Sequence, residues 1–378
     1  MIAGILKETG TENRVAMLPG EVAGLKKLGL DVIIEKNAGE KAFIDDEAYA
    51  GAGAEIADRD EVKAKAAILL AVNPPLNDDP GSFKEGQIIC SALNPVENRE
   101  WLDKVRAQGL TYLGLDIVPR TTRAQAMDIL SSMATVSGYM AVLEAAFLLP
   151  RFFPMFMSAA GTIKPSRVLI LGAGVAGLQA LAIARKLGAT VEVFDVRSAV
   201  KEEVMSLGGK FIEVEGARED ASAGGYAVEQ TEEFRLKQQQ LIQTRARVSD
   251  VIIATAQIPG KKAPVLVLKE TVNEMKKGSV IIDLAASTGG NCELTQNNKT
   301  LVVNGVKIVG KSDYPSEMPT DASKMFGSNI LNLLKIMIDK EGNIVLNMED
   351  DIINGTTACH KKEYISQRIK QLLNIKQD

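Results

Sequence analysis

Through the first 120 residues, short apolar runs alternate with stretches in which apolar residues recur every three or four positions. The runs are "MIAGIL", "DVIIE", "AAILLAV", "QIICSA" and "TYLGLDI". Rich in Ile, Val and Leu and four to seven residues long, they predict parallel strands buried on both faces. A helix is expected around "GEVAGLKKLG", stopping at its "LKKLG" end. A long helical region follows from about Ala124 to Leu149. Its small residues Ala134, Ser137, Gly138, Ala141 and Ala145 suit close packing.

The pattern then breaks at "PRFFPMFMSAAGTIKP". Two readings stand side by side: a buried crossing between domains, or an apolar arm that packs on another subunit. A second series resumes with "RVLILGAG", "TVEVFDV", "KFIEV", "DVIIATA", "SVIIDLA" and "KIVGKSD", six strands that fit a Rossmann-type sheet. The C-terminal "NILNLLKIMIDKEGNIVLNMEDDI" predicts a helix, a turn at "DKEGN" and a strand, and "YISQRIKQLLNI" a closing helix. The expected fold is α/β: two Rossmann-like parallel-sheet domains joined by long helices. The first is discontinuous (1–134 plus 322–378) and the second spans 135–321.

A length of 378 residues suits two domains, each with its own core. With 46% hydrophobic and 24% charged residues and a net charge of -4, the composition is that of a globular protein with no pull toward nucleic acid or an anionic membrane. Cys90, Cys292 and Cys359 lack pairing or metal spacing and read as buried, reduced thiols. No metal site is expected. The N-terminus reads as a strand rather than a signal peptide. The longest uncharged run, Val168 to Ala184, is shorter than a spanning helix needs, so no membrane span is expected.

Candidate chemistry concentrates in two places. In "RVLILGAGVAGLQALAIARKLGATVEVFDV", Gly172, Gly174 and Gly177 form G-x-G-x-x-G between an apolar strand and an amphipathic helix, and a second strand ends in Asp195. Gly172 permits the turn, Gly174 lets the backbone approach a pyrophosphate, and Gly177 allows close helix packing. The helix N-terminus offers N–H groups to phosphate. A carboxylate at Asp195 accepts from the adenosine ribose hydroxyls, favouring NAD(H), whereas Arg197 nearby could accommodate a 2′-phosphate. Gly224, Gly225 and Tyr226, in a long polar connection, read either as a lid over a cofactor or as a solvated crossover.

The other place is "RTTRAQAMDILSS". As a continuous helix it would put Gln125, Asp128 and Ser132 on one face, with Arg120 just upstream. Yet the chain has one histidine, His360.

Together with "ETGTENRVAMLPGEV", "FPMFMSAAGTI", "SLGGKFIEV", "IPGKKAPVL", "GSVIIDLA" and "GGNCELT", these motifs resemble the alanine dehydrogenase/nicotinamide nucleotide transhydrogenase family over essentially the whole length. The Arg-Gln-Asp and Gly-Gly-Tyr loops resemble the transhydrogenase branch, in its soluble NAD(H)-binding component. Where the dehydrogenases carry a lysine and a histidine for proton handling, this chain has Asn73 and Asn94. Arg14, which resembles their substrate-carboxylate arginine, is retained. Without either proton carrier, reductive amination of a keto acid lacks its general acid. Hydride transfer between two nicotinamides needs positioning instead.

The resemblance implies that Arg120, Gln125, Asp128 and Ser131 surround the nicotinamide and its ribose, with Thr121 and Thr122 beside them. The helix-face argument picks Ser132; the family match picks Ser131, which is preferred. Val175, Ala176 and Gly177 would cover the pyrophosphate, and Asp195, Val196 and Arg197 would hold the adenosine end. Tyr226 would tip a mobile loop, with Gly225 and Gln238 near the cofactor. Gln257 replaces the family's aliphatic residue before "IPG", altering the pocket lining.

The resemblance further implies a homodimer, and partners that bind NADP(H) and span the membrane. It implies hydride transfer from NADH coupled to proton translocation, and a place at the cytoplasmic face of the inner membrane. The alternatives are a stand-alone NAD-dependent amino-acid dehydrogenase of alanine or saccharopine type and a non-catalytic NAD-binding protein.

Overall fold

Alternation within the strands shows why two cores form around each sheet. Ile5, Ile34, Ile68, Leu70 and Cys90 face one core, whereas Leu6, Ile33, Leu69 and Ile89 face the other. Successive side chains point to opposite faces, so a strand apolar at every position must be covered on both sides. The same holds for Val168 and Ile170 against Leu169 and Leu171.

The computed structural model describes residues 1–214, 231–258 and 261–375. The chain divides into two units, Met1–Met133 with Pro315–Asp378, and Ala134–Tyr314. The return to the first unit thus begins at Pro315 rather than at 322. The helix Pro319–Lys335 packs Phe326, Ile330, Leu333 and Leu334 into the first unit's core, and a cut at 322 would split it.

The first unit holds an eight-stranded sheet. Its parallel strands are β1 (Ile2–Ile5), β2 (Asp31–Glu35), β3 (Ala54–Ala57), β4 (Ile68–Leu70), β5 (Ile88–Ser91) and β6 (Thr111–Gly114), in the order β6-β5-β4-β1-β2-β3. The segment Thr357–His360 adds antiparallel to β6, and Glu363–Tyr364 follows it. The order reverses between β1 and β4, the position at which open α/β sheets bind ligands. The strand β3, four residues interrupted by Glu55, escapes the sequence reading, as does Thr357–His360. The strand expected in "NIVLN" is reduced to a single bridge, Ile338 to Ile344.

The second unit contains a hairpin, β7 (Phe156–Ser158) and β8 (Gly161–Ile163), within the segment that carried two readings. A seven-stranded sheet follows: β9 (Arg167–Leu171), β10 (Thr190–Phe194), β11 (Lys210–Ile212), β12 (Val251–Ala254), β13 (Val280–Asp283), β14 (Lys299–Val303) and β15 (Val306–Gly310). Its order is β11-β10-β9-β12-β13-β15-β14, parallel apart from β14. The six expected strands form the parallel part, and β14 is an added antiparallel edge.

The helical region expected from Ala124 does not run unbroken. A 3₁₀ turn covers Thr122–Met127, Asp128 is extended (φ −79°, ψ 95°), and the α-helix is Ile129–Leu148. At 20 residues it is long and apolar enough to cross a membrane by length and composition, which the sequence reading did not register. Ala141, Val142 and Ala145 are fully buried in the second unit's core, and Glu144 accepts a 2.5 Å hydrogen bond from the Tyr314 hydroxyl. That packing ties its middle to the second unit's core, with 33% of its 18-residue apolar stretch buried. Gly138 shows the reason for its small residues: a Cβ there would lie 2.2 Å from the Ala176 carbonyl oxygen.

Candidate functional site

The nucleotide turn is built by steric exclusion. Gly172, just past β9, has φ +102°, and a Cβ on it would meet Thr255 Oγ1 at 2.6 Å. Its N–H donates to the Phe194 carbonyl at 2.8 Å, and Thr255 Oγ1 donates to its carbonyl at 3.1 Å. A Cβ on Gly177 would stand 1.9 Å from the Gly172 oxygen, so the helix Val175–Lys186 packs on the turn only because that position is glycine. Gly174 differs. It is the extended N-cap residue (φ −77°, ψ −174°), and nothing lies within 4 Å of a Cβ built there.

No side chain caps this helix. Its first-turn N–H groups, with the positive end of the helix dipole, therefore face open space at Gly174. That geometry fits a pyrophosphate. Val175 at the helix start is exposed, Ala176 half-buried and Gly177 buried.

Asp195, one residue beyond β10, is more engaged than the sequence suggests. Its Oδ2 accepts from Ala173 N–H at 2.7 Å and from an Arg197 terminal nitrogen at 2.8 Å. Its Oδ1 accepts from Arg197 N–H and Nε, both at 2.9 Å. The carboxylate side chain is 7% exposed and the guanidinium side chain 28%. The hydrogen bonds to Asp195 hold the Arg197 guanidinium above its ordinary pKa. Arg197 is therefore turned onto Asp195 instead of outward, and Asp195 ties the tip of β10 to the glycine turn. Val196 packs at the edge of the apolar cluster below.

A second polar relay supports the turn from β12 and β13. Asp283, at the end of β13, is fully buried. It accepts from the N–H groups of Ala285, Asn291 and Cys292 and from the Thr295 hydroxyl. Burial pushes its carboxyl pKa up even against those four donors. Asn291 pairs with both the N–H and the carbonyl of Ala256, next to Thr255. Sequence reasoning missed this relay, although "GSVIIDLA" and "GGNCELT" carry its residues. Gln257 donates to the Leu284 carbonyl at 2.9 Å, so its amide serves the loop packing. Gln238 is half-buried on the helix Glu232–Val248. Gly225 and Tyr226, with Gly224, lie outside the described residues.

In the first unit, Arg120, Thr121, Thr122 and Gln125 are exposed, and Ala124 and Met127 are buried beneath them. The break at Asp128 removes the shared helical face. Asp128 instead caps the following helix, accepting from Ser131 N–H at 3.0 Å and from the Ser131 hydroxyl at 2.6 Å. Ser131 is thus the serine bonded to the Asp128 carboxylate, whereas Ser132 meets Asp128 through its N–H on the main-chain carbonyl at 3.2 Å.

The positions of the missing lysine and histidine hold amides that are themselves occupied. Asn73 Nδ2 donates to Glu8 Oε2 at 3.2 Å and to Glu12 Oε2 at 3.1 Å. Arg14 is forked onto Glu12 at 2.8 and 2.7 Å and stacks over Phe326. Burial alone would raise the Glu12 pKa, but Arg14 outweighs it and brings the carboxyl to about 2. Burial pushes Glu8 up to about 7 despite a 2.6 Å bond from Val72 N–H. This titratable Glu8 is a group the sequence reading overlooked. Asn94 adopts φ +45° and donates to Glu97 Oε2 at 2.5 Å. His360, hydrogen-bonded to Thr111, stands on the added antiparallel strand. All three cysteines are free and buried.

Comparisons with known proteins agree with this geometry. The family described as Alanine dehydrogenase/PNT matches twice, its N-terminal domain at residues 4–137 and its C-terminal domain at 141–367. The NAD(P) transhydrogenase subunit alpha of Haemophilus influenzae is 45% identical over 97% of this chain and 72% of its own length. The crystal structure of transhydrogenase from Sinorhizobium meliloti superposes with a TM-score of 0.88 at 38% identity, covering 97% of this chain and all of that one. Alanine dehydrogenase of Mycolicibacterium smegmatis is 27% identical over 99% of this chain and 97% of its own. The likeness is thus stronger toward the transhydrogenase subunits. With both domains matched and the motif residues arranged as described, the chain belongs to the alanine dehydrogenase/PNT family.

Proposed function

We propose that this chain is the NAD(H)-binding component of a proton-translocating NAD(P) transhydrogenase. The observation that carries the reading is that Asn73 and Asn94 are hydrogen-bonded amides. Amides cannot shuttle a proton at neutral pH, which leaves a hydride exchange between two nicotinamides as the reaction best served.

The bound cofactor supplies a hydride at its nicotinamide ring. The N–H groups of Val175, Ala176 and Gly177 would bind the pyrophosphate, and Asp195, aimed by Arg197, would accept from the adenosine ribose. Val196 and Gln238 would line the adenosine side and Gln257 the adjoining loop. Gly225 and Tyr226 would close over the cofactor. Arg120, Thr121, Thr122, Gln125, Asp128 and Ser131 would orient the carboxamide and ribose of the nicotinamide half.

NADP(H) would reside on a partner component, and a membrane component would carry the protons. The chain itself would lie at the cytoplasmic face of the inner membrane. The hairpin β7–β8 supports a homodimer. Phe152, Met155, Phe156, Met157 and Ile163 are all exposed, and Phe152 stacks on Phe156 at 4.6 Å.

A stand-alone amino-acid dehydrogenase is the second reading, favoured by a carboxyl at Glu8 that titrates near neutrality. Against it, Arg14 is already paired with Glu12.

The deciding experiment mixes the purified chain, the NADP(H)-binding domain of a transhydrogenase, NADPH and an oxidised NAD analogue with shifted absorbance. Rapid reduction of the analogue, lost when either protein is omitted, is the expected result. NADH oxidation by a keto acid and ammonia with this chain alone would replace the proposal with the dehydrogenase reading.

A further inference from the structure

The exposed turn that bears Gln125 is held from below by a helix outside the motif. Asn329 and Asn332 lie one turn apart on Pro319–Lys335, at a spacing that shares a face. Both side-chain amides donate to a single acceptor, the main-chain carbonyl of Ala126, at 2.8 and 3.1 Å. Two donors fill both lone pairs of that oxygen. That carbonyl belongs to the Ala126–Met127 peptide, one Cα beyond the Gln125–Ala126 peptide, so the two bonds restrain the backbone next to Gln125.

Asn329 is 6% exposed, and its Oδ1 is buried with no hydrogen-bond partner among the described residues. A buried amide that strands its acceptor is a poor choice for stability alone. Reversing the amide would set oxygen against the Ala126 oxygen, so the N–H₂ end must face the turn. The geometry thus retains Asn329 for its donor.

The turn has two further fixings. Its N-terminal half is held by Arg123, which forks onto Asp350 at 2.7 and 2.8 Å and also contacts Asp351. Its C-terminal end is held by the Asp128 cap on Ser131. Ala124 and Met127 plug into the core between these points. Besides the Asp128 N–H bond to the Gln125 carbonyl at 3.3 Å, the Ala126 clamp is the side-chain fixing nearest Gln125.

We propose that Asn329 and Asn332 are positioning residues for hydride transfer. By clamping the Ala126 carbonyl they hold the backbone beside Gln125, and hence the direction of its side chain. The inference rests on the function proposed above.

The test uses the full chain carrying Asn329→Ala with Asn332→Ala. Hydrogen–deuterium exchange of residues 120–131 is read without nucleotide, and single-turnover hydride transfer is read with the partner NADP(H)-binding domain. The expected result is exchange at least tenfold faster in that segment alone. Transfer slows at least tenfold and the NADH Kd stays within twofold. Asn329→Leu, similar in size but unable to donate, and Asn332→Ala each leave one donor on the Ala126 carbonyl and give intermediate rates.

Exchange and transfer both within twofold of wild type would overturn the proposal. So would a parallel fall in transfer, NADH affinity and unfolding temperature, which marks a structural role only. If the double variant does not fold, Asn332→Ala decides: faster exchange confined to 120–131 supports the clamp, and unchanged exchange overturns it. A wild-type chain that transfers no hydride defeats the functional reading, while the exchange arm still reports on the clamp by itself.

Discussion

The three glycines of the turn have different jobs, and alanine substitution separates them. A Cβ on Gly177 would come to 1.9 Å from the Gly172 carbonyl oxygen. An ordinary carbon–oxygen contact is about 3.3 Å, so the helix and turn must part by roughly 1.4 Å. The obstacle is backbone, which cannot swing aside. Overpacking typically costs about 1–3 kcal/mol, and this case belongs at the upper end. For a unit of this size about 3 kcal/mol lowers Tm by roughly 6–12 °C. Gly174 offers the opposite case, with an extended backbone and no atom within 4 Å of a built Cβ. The penalty of alanine at an N-cap is only about 0.5–1 kcal/mol, or roughly 1–4 °C. If a pyrophosphate packs against that bare Cα, however, the added methyl displaces it, and NADH affinity falls at least about tenfold, or ~1.4 kcal/mol. Differential scanning calorimetry of the nucleotide-free chain and NADH fluorescence titration measure the two effects. Gly174→Ala binding NADH within twofold of wild type would refute the placement of the pyrophosphate. Gly177→Ala with unchanged Tm would refute the steric argument.

Three other outcomes are expected. Gln125→Asn shortens a positioning amide without moving a cofactor contact in the second unit; it should slow hydride transfer sharply and hardly change NADH affinity, and unchanged turnover removes Gln125 from its role. Glu8 binds its proton more tightly folded than unfolded, with a pKa raised from 4.5 to about 7. Stability from this group is therefore present in full below about 4.5, declines as pH rises toward 7 and is level above. Urea titrations of Glu8→Gln should show that decline flattened, and a wild-type pH profile in the variant would contradict the assignment. Asp195→Asn removes the negative charge that would face a 2′-phosphate and loosens the tie on Arg197, so NADPH binding should improve relative to NADH by about tenfold; an unchanged ratio of the two Kd values would show that Asp195 does not set the preference.

What could be read from sequence was whatever a single element decides. Strands such as Val251–Ala254, apolar at every position, announce burial on both faces without help. The glycine turn is legible because its three constraints fall within six residues. The strand Ala54–Ala57 is not, because it is recruited by pairing with Asp31–Glu35 and not by its own composition. The break at Asp128 was hidden for a different reason. Its apolar spacing continues straight through, and only the bond from Ser131 shows that the chain starts a new helix there. The Ser131 hydroxyl also bonds to the Asp128 carboxylate, a link that periodicity does not show. Glu8, Asn329 and Asn332 acquire meaning from groups 64 to more than 200 residues away. No pattern along the chain contains such pairings.

The carboxylates of both candidate regions share one property that bears on the chemistry. Asp195 is held by Arg197 and Ala173, Glu12 by Arg14 and Asn73, Asp283 by four donors, and Asp128 by Ser131. Each has its lone pairs directed by fixed partners. A general acid or base must instead be able to gain and lose a proton near the working pH. Glu12, drawn down to about 2, has lost that ability. Glu8 keeps it, but its oxygens are committed to Val72 and Asn73. Groups pinned in this way are suited to orientation, since they do not reorganise as the reaction proceeds. Hydride exchange between two nicotinamide rings places its demand there: distance and facing of the rings decide the rate, and no proton changes hands at carbon. Under the proposed function, the same argument would let an Arg, a Gln, an Asp and a Ser suffice without a histidine, and the clamp on Ala126, remote from any proton, would matter as much as the side chains it serves.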